Sequence, residues 1–320
     1  MISFIVIGRN EGWKLTNCLA SVFKTIEHSK LSKFEIIYVD SNSTDDSIKR
    51  AKLFENVKVL KLTNDCNAAI ARNSGVQIAT GDIFYFIDGD MEITSDFLQK
   101  IYNKDEKLIH PFISGQYINY FYNKKGELLN KEHYDKSLKS NDQYRVITGG
   151  LFIVQRKHWN LVNGMKNKHK MGEDMDFGLR LAKKGVKLLR KKEIMAIHHT
   201  ISYRDNKRMW YMLFNKAELY AKSMLYRDHL FNKNIYPIIA RNDYSLIILL
   251  ISIILSFFIS PLFILFYCLI ATLRSVKASN YKLRRFLSFL AYFTLRDIIV
   301  LGGFFFFFPK TKFSIKSVVL

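Results

Sequence analysis

Three cysteines in 320 residues, Cys18, Cys66 and Cys268, are too few, too scattered and too odd in number to frame a disulfide scaffold. They suggest reduced thiols in a protein that faces the cytosol. Also missing are any Cys/His finger spacing and any RNA-binding aromatic signature, so the net charge of +21 argues poorly for a nucleic-acid partner. The N-terminus has neither a basic leader nor a small-residue cleavage site. Ile2-Ser3-Phe4-Ile5-Val6-Ile7 reads as a strand, and no signal peptide is expected. Acidic residues are scarce beside basic ones, 28 against 49. Basic residues that flank apolar segments suit anionic lipid headgroups. Finally, residues 246–273 contain no charge at all, which is a membrane signal, whereas residues 1 to about 235 mix charged and apolar residues as a soluble protein does.

What is present organises around Ile83-Phe84-Tyr85-Phe86-Ile87-Asp88-Gly89-Asp90. A buried strand ends abruptly in two carboxylates separated by one glycine. Two hard oxygen donors so placed suit Mg²⁺ or Mn²⁺ carried with a phosphate ligand; Asp-Gly-Asp is also ordinary strand-to-turn punctuation. Strands at residues 2–7, 35–39, 57–60 and 83–87 alternate with segments of helical spacing, the first marked by Leu15, Leu19, Val22, Phe23 and Ile26. This predicts an α/β fold with a mainly parallel sheet flanked by helices, and ligands bind beyond the carboxyl ends of such strands. Asp40 and Asp88 occupy two such ends. Strand-like stretches follow at residues 112–122 and 144–155, separated by a polar excursion over 123–142. The glycine pair Gly149-Gly150 in the later stretch suggests a bulge or a close ligand approach. Glu173-Asp174-Met175-Asp176 opens a helix, where acidic residues also favour the dipole. Residues 186–197 read as short strands leading to His198-His199, whose side chains point to opposite faces if they lie on a strand.

The order and spacing of these pieces resemble the family 2 glycosyltransferases, enzymes with the GT-A nucleotide-sugar fold. The matching elements are Arg9-Asn10-Glu11, Val39-Asp40-Ser41-Asn42-Ser43-Thr44-Asp45, Ala71-Arg72-Asn73-Ser74-Gly75, Asp88-Gly89-Asp90, Gly149-Gly150 and Glu173-Asp174-Met175-Asp176, spread over about 200 residues. The resemblance implies a metal-dependent, inverting transfer of a hexose-type sugar from a nucleotide-diphosphate donor, a UDP-sugar as first guess. Nucleotide contacts map to Arg9, Asn10, Glu11, Asp40, Arg72 and Asp88. A Mn²⁺ or Mg²⁺ maps to Asp88 and Asp90, with His198 as a further metal or diphosphate contact. Asp174 is the chosen base and Glu173 the runner-up, Asp176 is assigned a structural part, and Gly149 and Gly150 line the acceptor site. Lys168, His169 and Lys170 form a basic loop, either solvated or meeting an acceptor phosphate. Where relatives place a glycine before Ala-Arg-Asn, this chain has Asn67, which tolerates positive φ. The Gln-x-x-Arg-Trp motif of processive synthases is absent, Asn206-Lys207-Arg208-Met209-Trp210 having the wrong order, which argues for adding one sugar. Met91-Glu92-Ile93-Thr94 replaces the Gln-His-Pro-Pro continuation of polyprenol-phosphate sugar synthases, leaving that reading second. A non-catalytic membrane scaffold that keeps the fold is the rival from another class.

These readings divide the chain into a catalytic domain over 1–230 and a membrane-associated region over 231–320. An amphipathic helix from about Lys207 to Arg227 either links the domain to the membrane surface or packs on the domain. The 28 residues of 246–273 would form a helix of roughly 42 Å, long for a ~30 Å hydrocarbon core, with Pro261 near the middle. A bent re-entrant helix and a tilted single span both fit. The second apolar segment, 286–309, carries Arg296-Asp297, and adjacent helix positions do not face each other. It is expected to be interfacial, or packed against the first segment or another subunit. The expected site is the cytoplasmic membrane, with the catalytic domain facing the cytosol, membrane lipids and a lipid-linked or glycan acceptor as partners, and a place in polysaccharide or glycolipid assembly of the cell envelope.

Overall fold

The computed structural model describes residues 1–102, 107–123, 125–135, 141–201, 207–214 and 219–320. They form two compact units. The first comprises Met1–Lys168, Glu173–Ser202 and Thr311–Leu320; the second comprises His169–Gly172 and Tyr203–Lys310.

The first unit begins with β1 (Ile2–Gly8), α1 (Trp13–His28), β2 (Phe34–Asp40), α2 (Ser47–Ala51), β3 (Val57–Leu62), α3 (Ala68–Ile78) and β4 (Ile83–Asp88). These are the alternating elements that periodicity predicts. Then come β5 (Met91–Ile93), α4 (Phe97–Ile101), β6 (Phe112–Tyr122), β7 (Leu128–His133), β8 (Gln143–Arg145) and β9 (Phe152–Gln155). The unit continues with α5 (Arg156–Leu161), α6 (Glu173–Lys183), β10 (Leu188–Ile201) and finally β11 (Ser317–Val319). The sheet runs β11-β3-β2-β1-β4-β9-β6-β10-β5, with β7 on β6 and β8 on β10. Its long ladders, β3-β2-β1-β4 and β6-β10, are parallel. Along the central strands the period of two divides the core: Phe4, Val6, Ile36, Tyr38, Tyr85 and Ile87 pack in one layer with α1, while Ile5, Ile7, Ile37, Val39, Phe84 and Phe86 pack in the other with α3. The register sets Gly8 beside Asp40 and Ile7 beside Asp88. Two carboxylates therefore flank the end of β1, where the strand order reverses direction.

Several local expectations change. Residues 144–155 are two short strands separated by a loop that carries Gly149-Gly150, because Gly149 sits at φ 70°, outside the β region. From Leu188 on, the short strands expected over 186–197 are one long strand, β10, whose register against β6 shifts between Arg190 and Ala196 and which continues through His198-His199. The excursion over 123–142 contains β7, paired antiparallel with β6; residues 124 and 136–140 of it lie outside the described residues. Asn67 does not take positive φ. At φ −161° it is the N-cap of α3, its side-chain oxygen accepting from Ile70 N at 2.9 Å.

The second unit holds α7 (Lys207–Phe214), α8 (Ala221–Asp228), α9 (Tyr236–Asn242), α10 (Tyr244–Phe258), a 3₁₀ turn (Pro261–Phe263), α11 (Ile264–Ser279) and α12 (Leu283–Phe306). The helix expected over 207–227 is thus seen as α7 and α8, and residues 206 and 215–218 lie outside the described residues. The charge-free segment is broken at Ser260-Pro261, Ser260 capping the turn and proline having no N–H to continue α10. By length and composition, Pro261–Ser279 and Leu283–Phe306 are each able to cross a membrane, and α9 and α10 form a pair bent by 91°. The 24 residues of α12 span roughly 36 Å, enough for the hydrocarbon core. Its charged pair is packed within the chain: Arg296 meets Asp243 at 2.6 Å, and buried Asp297 accepts from Ser245 Oγ at 2.5 Å. Arg296 also reaches Asp297 at 3.1 Å, a contact that the flexible guanidinium makes despite the adjacent positions.

Candidate active site

Two turns, at the carboxyl ends of β1 and β2, are laced together before any ligand is considered. Asn10, at φ 57°, receives Thr44 N on its Oδ1 at 2.8 Å and donates its own N–H to Ser43 Oγ at 2.9 Å. Asp40 is wholly buried, accepting from Ser43 N at 2.8 Å and from Tyr38 Oη at 3.0 Å, so its carboxylate shapes the turn. Arg9 is exposed on the first turn, and Glu11 holds Lys14 at 2.8 Å.

The charged centre is built from elements far apart in sequence. Arg72 on α3 is 1% exposed, so it is no surface helix arginine. It donates to Asp88 Oδ1 at 2.8 Å and to Glu173 Oε1 at 3.0 Å, joining the end of β4 to the start of α6. Asp174 accepts from Gly149 N at 2.9 Å. Gly150 packs so closely on Asp88 that a Cβ there would stand 1.6 Å from Asp88 Oδ2. The glycine pair thus has two separate reasons: positive φ at Gly149 and close approach at Gly150. Asp176 points elsewhere. It is fully buried and bound to Arg180 at 2.7 Å and Lys166 at 3.5 Å, the structural part expected of it.

Asp90 pairs with His198 Nε2 at 3.3 Å and lies 4.0 Å from Lys14 Nζ, while His198 Nδ1 is held by Asn119 Oδ1 at 2.7 Å. His199 faces the other way, to Glu92 at 2.7 Å and Tyr122 Oη at 2.8 Å, as alternation on a strand requires. His169, in the second unit, is fully buried and bonded to Asp228 at 3.3 Å, which removes it from a solvated loop.

Burial pushes Asp88 above the ordinary carboxylate range, with Arg72 opposing and Asp90 adding to the rise. Glu173 is likewise raised, by burial first and by Asp174, against the pull of Arg72. Glu11 is raised by burial and by Asp90. Asp90 alone in this group is lowered, because the hydrogen bond and charge of His198 outweigh its burial. A group of acids held above their usual range by desolvation and by one another gains from an added cation. Asp88, Asp90 and His198 retain side-chain exposures of 31%, 21% and 22%, so each is open to an ion. The two carboxylates are hard oxygen donors of the kind Mn²⁺ and Mg²⁺ take, and on that donor chemistry they fit such an ion.

Sequence reasoning missed Lys14, Asn119, Tyr117, Tyr134 and Arg190. Lys14 is legible afterwards as Glu11's partner three residues on. The others depend on the pairing of β6 with β7 and β10, which the sequence does not announce. Tyr117 stacks on Tyr134 with centroids 4.1 Å apart and meets the His198 ring edge-on at 5.9 Å. Buried Arg190 donates to the carbonyls of Ile147 at 2.8 Å, Thr148 at 2.9 Å and Gly115 at 3.2 Å, pinning the loop that leads into Gly149.

Comparison with known proteins gives matches over the same region. Residues 3–162, half of the chain, match the family described as Glycosyl transferase family 2, and residues 133–204 match the N-terminal domain of galactosyltransferase. Glycosyltransferase GlyG of Streptococcus pneumoniae is 29% identical over 124 residues, 38% of this chain and 40% of GlyG. The poly(ribitol-phosphate) β-N-acetylglucosaminyltransferase TarP of Staphylococcus aureus is 29% identical over 121 residues, 36% of each chain. A longer match, 27% over 223 residues and 63% of this chain, covers 67% of the dolichyl N-acetyl-α-D-glucosaminyl phosphate 3-β-D-2,3-diacetamido-2,3-dideoxy-β-D-glucuronosyltransferase of Methanococcus voltae. The match spans less than half the length of GlyG and of TarP. Among solved structures, residues 1–349 of S. aureus TarS in complex with UDP-GlcNAc superpose with a TM-score of 0.49 at 17% identity, covering 77% of this chain and 75% of that one.

Proposed function

This chain belongs to glycosyl transferase family 2, and we propose that it moves one sugar from a nucleotide-diphosphate donor, a UDP-sugar first, to a lipid-linked or glycan acceptor by an inverting displacement. The observation that carries the reading is the Arg72 bridge, which ties the strand-end carboxylate Asp88 to Glu173, the immediate neighbour of Asp174. Donor and acceptor chemistry are thereby assigned to one cluster. The laced turns with Arg9, Asn10, Glu11 and Asp40 are the proposed nucleotide platform, Asp40 acting by holding its turn.

Asp88, Asp90 and His198 are the residues that would hold a Mn²⁺ or Mg²⁺, which when bound stabilises the negative charge gathering on the departing diphosphate. Arg72 places Asp88 for that role. Asp174 is the proposed base. Gly149 N–H fixes one of its oxygens, and the other takes the acceptor hydroxyl's proton. As that hydroxyl oxygen bonds to the anomeric carbon, the bond from carbon to phosphate oxygen breaks and its electron pair leaves with the nucleoside diphosphate. Glu173, committed to Arg72, positions the cluster. The name of the M. voltae relative, which specifies a dolichyl phosphate-linked acceptor, supports the lipid-linked alternative, as do the two helices able to cross a membrane. With nucleotide sugars in the cytosol, the catalytic unit is proposed to face that side of the cytoplasmic membrane, in envelope polysaccharide or glycolipid assembly.

The test is calorimetric binding of UDP, GDP, TDP and CMP to the detergent-solubilised chain, with Mn²⁺ or EDTA, repeated on Asp90→Ala. One nucleotide should bind tightly, and its affinity should require both the ion and Asp90. Absence of binding by all four would overturn the transferase reading in favour of a non-catalytic scaffold.

A further inference from the structure

We propose that the exposed ring of Tyr134 is the platform on which a pyranose ring of the acceptor glycan stacks while presenting its hydroxyl to Asp174; this rests on the transferase reading with Asp174 as base. Tyr134 follows the last residue of β7, and its N–H donates to Tyr117 O at 2.9 Å, so the two tyrosines are cross-strand neighbours. Their rings lie 18° from parallel with centroids 4.1 Å apart. Tyr117 is 4% exposed, whereas Tyr134 remains 41% exposed. A folded hairpin has thus fixed an aromatic ring from beneath and left much of it open to solvent. That arrangement is stiff, because Tyr117 is itself wedged against His198 at 5.9 Å and Arg190 sits 5.4 Å from the Tyr134 ring centre.

The platform's place beside the reacting groups gives it a substrate. A Cβ built on Gly149 would lie 3.7 Å from Tyr134 Oη and 3.2 Å from Tyr117 Oη. Gly149 is the residue whose N–H holds Asp174. Tyr134 and the proposed base are therefore both neighbours of Gly149. The chemistry of the ring selects the ligand. An aromatic face carries partial negative charge, and the axial C–H groups of a pyranose, polarised by neighbouring oxygens, are a suitable match for it while the sugar's hydroxyls stay free at the rim. Arg190 serves a different end. Donating to Thr148 and Ile147 carbonyls while packed near Tyr134, it locks the platform and the Gly149 loop to each other, which makes it a positioning residue.

The experiment uses the full chain in detergent, with UDP and Mn²⁺ present, on an array of bacterial surface oligosaccharides. The best-bound oligosaccharide is then titrated into wild type, Tyr134→Ala and Tyr134→Phe, and UDP affinity is measured for each. Tyr134→Ala should weaken the oligosaccharide at least tenfold, Tyr134→Phe should stay within threefold of wild type because the ring face persists, and UDP affinity should be the same in all three. Wild-type affinity in Tyr134→Ala, an equal loss in Tyr134→Phe, or no oligosaccharide bound by wild type would each overturn the platform. Failure of UDP to bind would count against the donor reading, and the titration, run without UDP, would still decide the platform.

Discussion

Asp174 and Arg72 show how much depends on single side chains here. Replacing Asp174 by asparagine keeps an oxygen for the Gly149 N–H and removes only the capacity to take a proton. Turnover with the donor found by calorimetry should fall by about 10²–10⁴, with UDP affinity unchanged; a wild-type rate would transfer the role to Glu173. Arg72→Met leaves the half-buried Asp88 and Glu173 without their cation, so thermal unfolding should report a loss of about 2–3 kcal/mol, below the value for a fully buried pair. Adding Glu173→Gln should recover part of that loss, the non-additivity being the sign of a shared network. At this scale the sequence is informative wherever a candidate site residue lies at a strand end: Asp88 and Asp90 close an apolar run and declare themselves. Arg190 and Tyr117 do not. An arginine that opens the basic run Arg190-Lys191-Lys192 gives no hint that its partners are three backbone carbonyls supplied from β6 and the glycine loop.

Elements were legible in proportion to how local their causes are. The face of α1 was read from spacing, and Leu15, Leu19, Val22 and Ile26 are all buried. The long β10 was read as fragments because its register shift against β6 interrupts the alternation that marks a strand. Asn67 could tolerate positive φ, but its short side chain instead caps α3 from an extended backbone. Asn67→Ala should therefore destabilise the protein by about 1 kcal/mol, and Asn67→Gly by only a few tenths, in urea unfolding; the side chain's second bond, to Asn167 O at 2.9 Å, adds to both. At the opposite end of the strands, Glu35 accepts from Ser3 Oγ, Thr80 N and Lys58 Nζ. Burial alone would raise its pKa, but these bonds lower it to about 2. Because the folded value lies below the ordinary one, Glu35 stabilises fully above about pH 4.5 and loses that contribution as pH falls towards 2. Wild type should exceed Glu35→Gln by about 2 kcal/mol at pH 6, allowing for solvent screening, with the gap closing near pH 2.

At the scale of the whole molecule, the sheet of the first unit is finished by residues that follow the apolar helices in sequence. β11 pairs antiparallel with β3, Leu62 opposite Ser317, and Thr63 N donates to Lys316 O at 3.0 Å. Composition divides the chain at about residue 230 and gives no sign of this return, since a strand of three residues is too short to show a pattern of its own. Deleting residues 311–320 should bare the unpaired edge of β3, and light scattering of the detergent-solubilised protein should then report association absent from the full chain. The same pairing has a consequence in time. Some 250 residues separate β3 from its cover, a delay of roughly 10–50 s at ordinary rates of translation. Both helices able to cross a membrane are synthesised within that interval. The edge of β3 therefore stays open until both apolar helices have been made, and biosynthetic order couples the closing of this sheet to the presence of segments able to enter a bilayer.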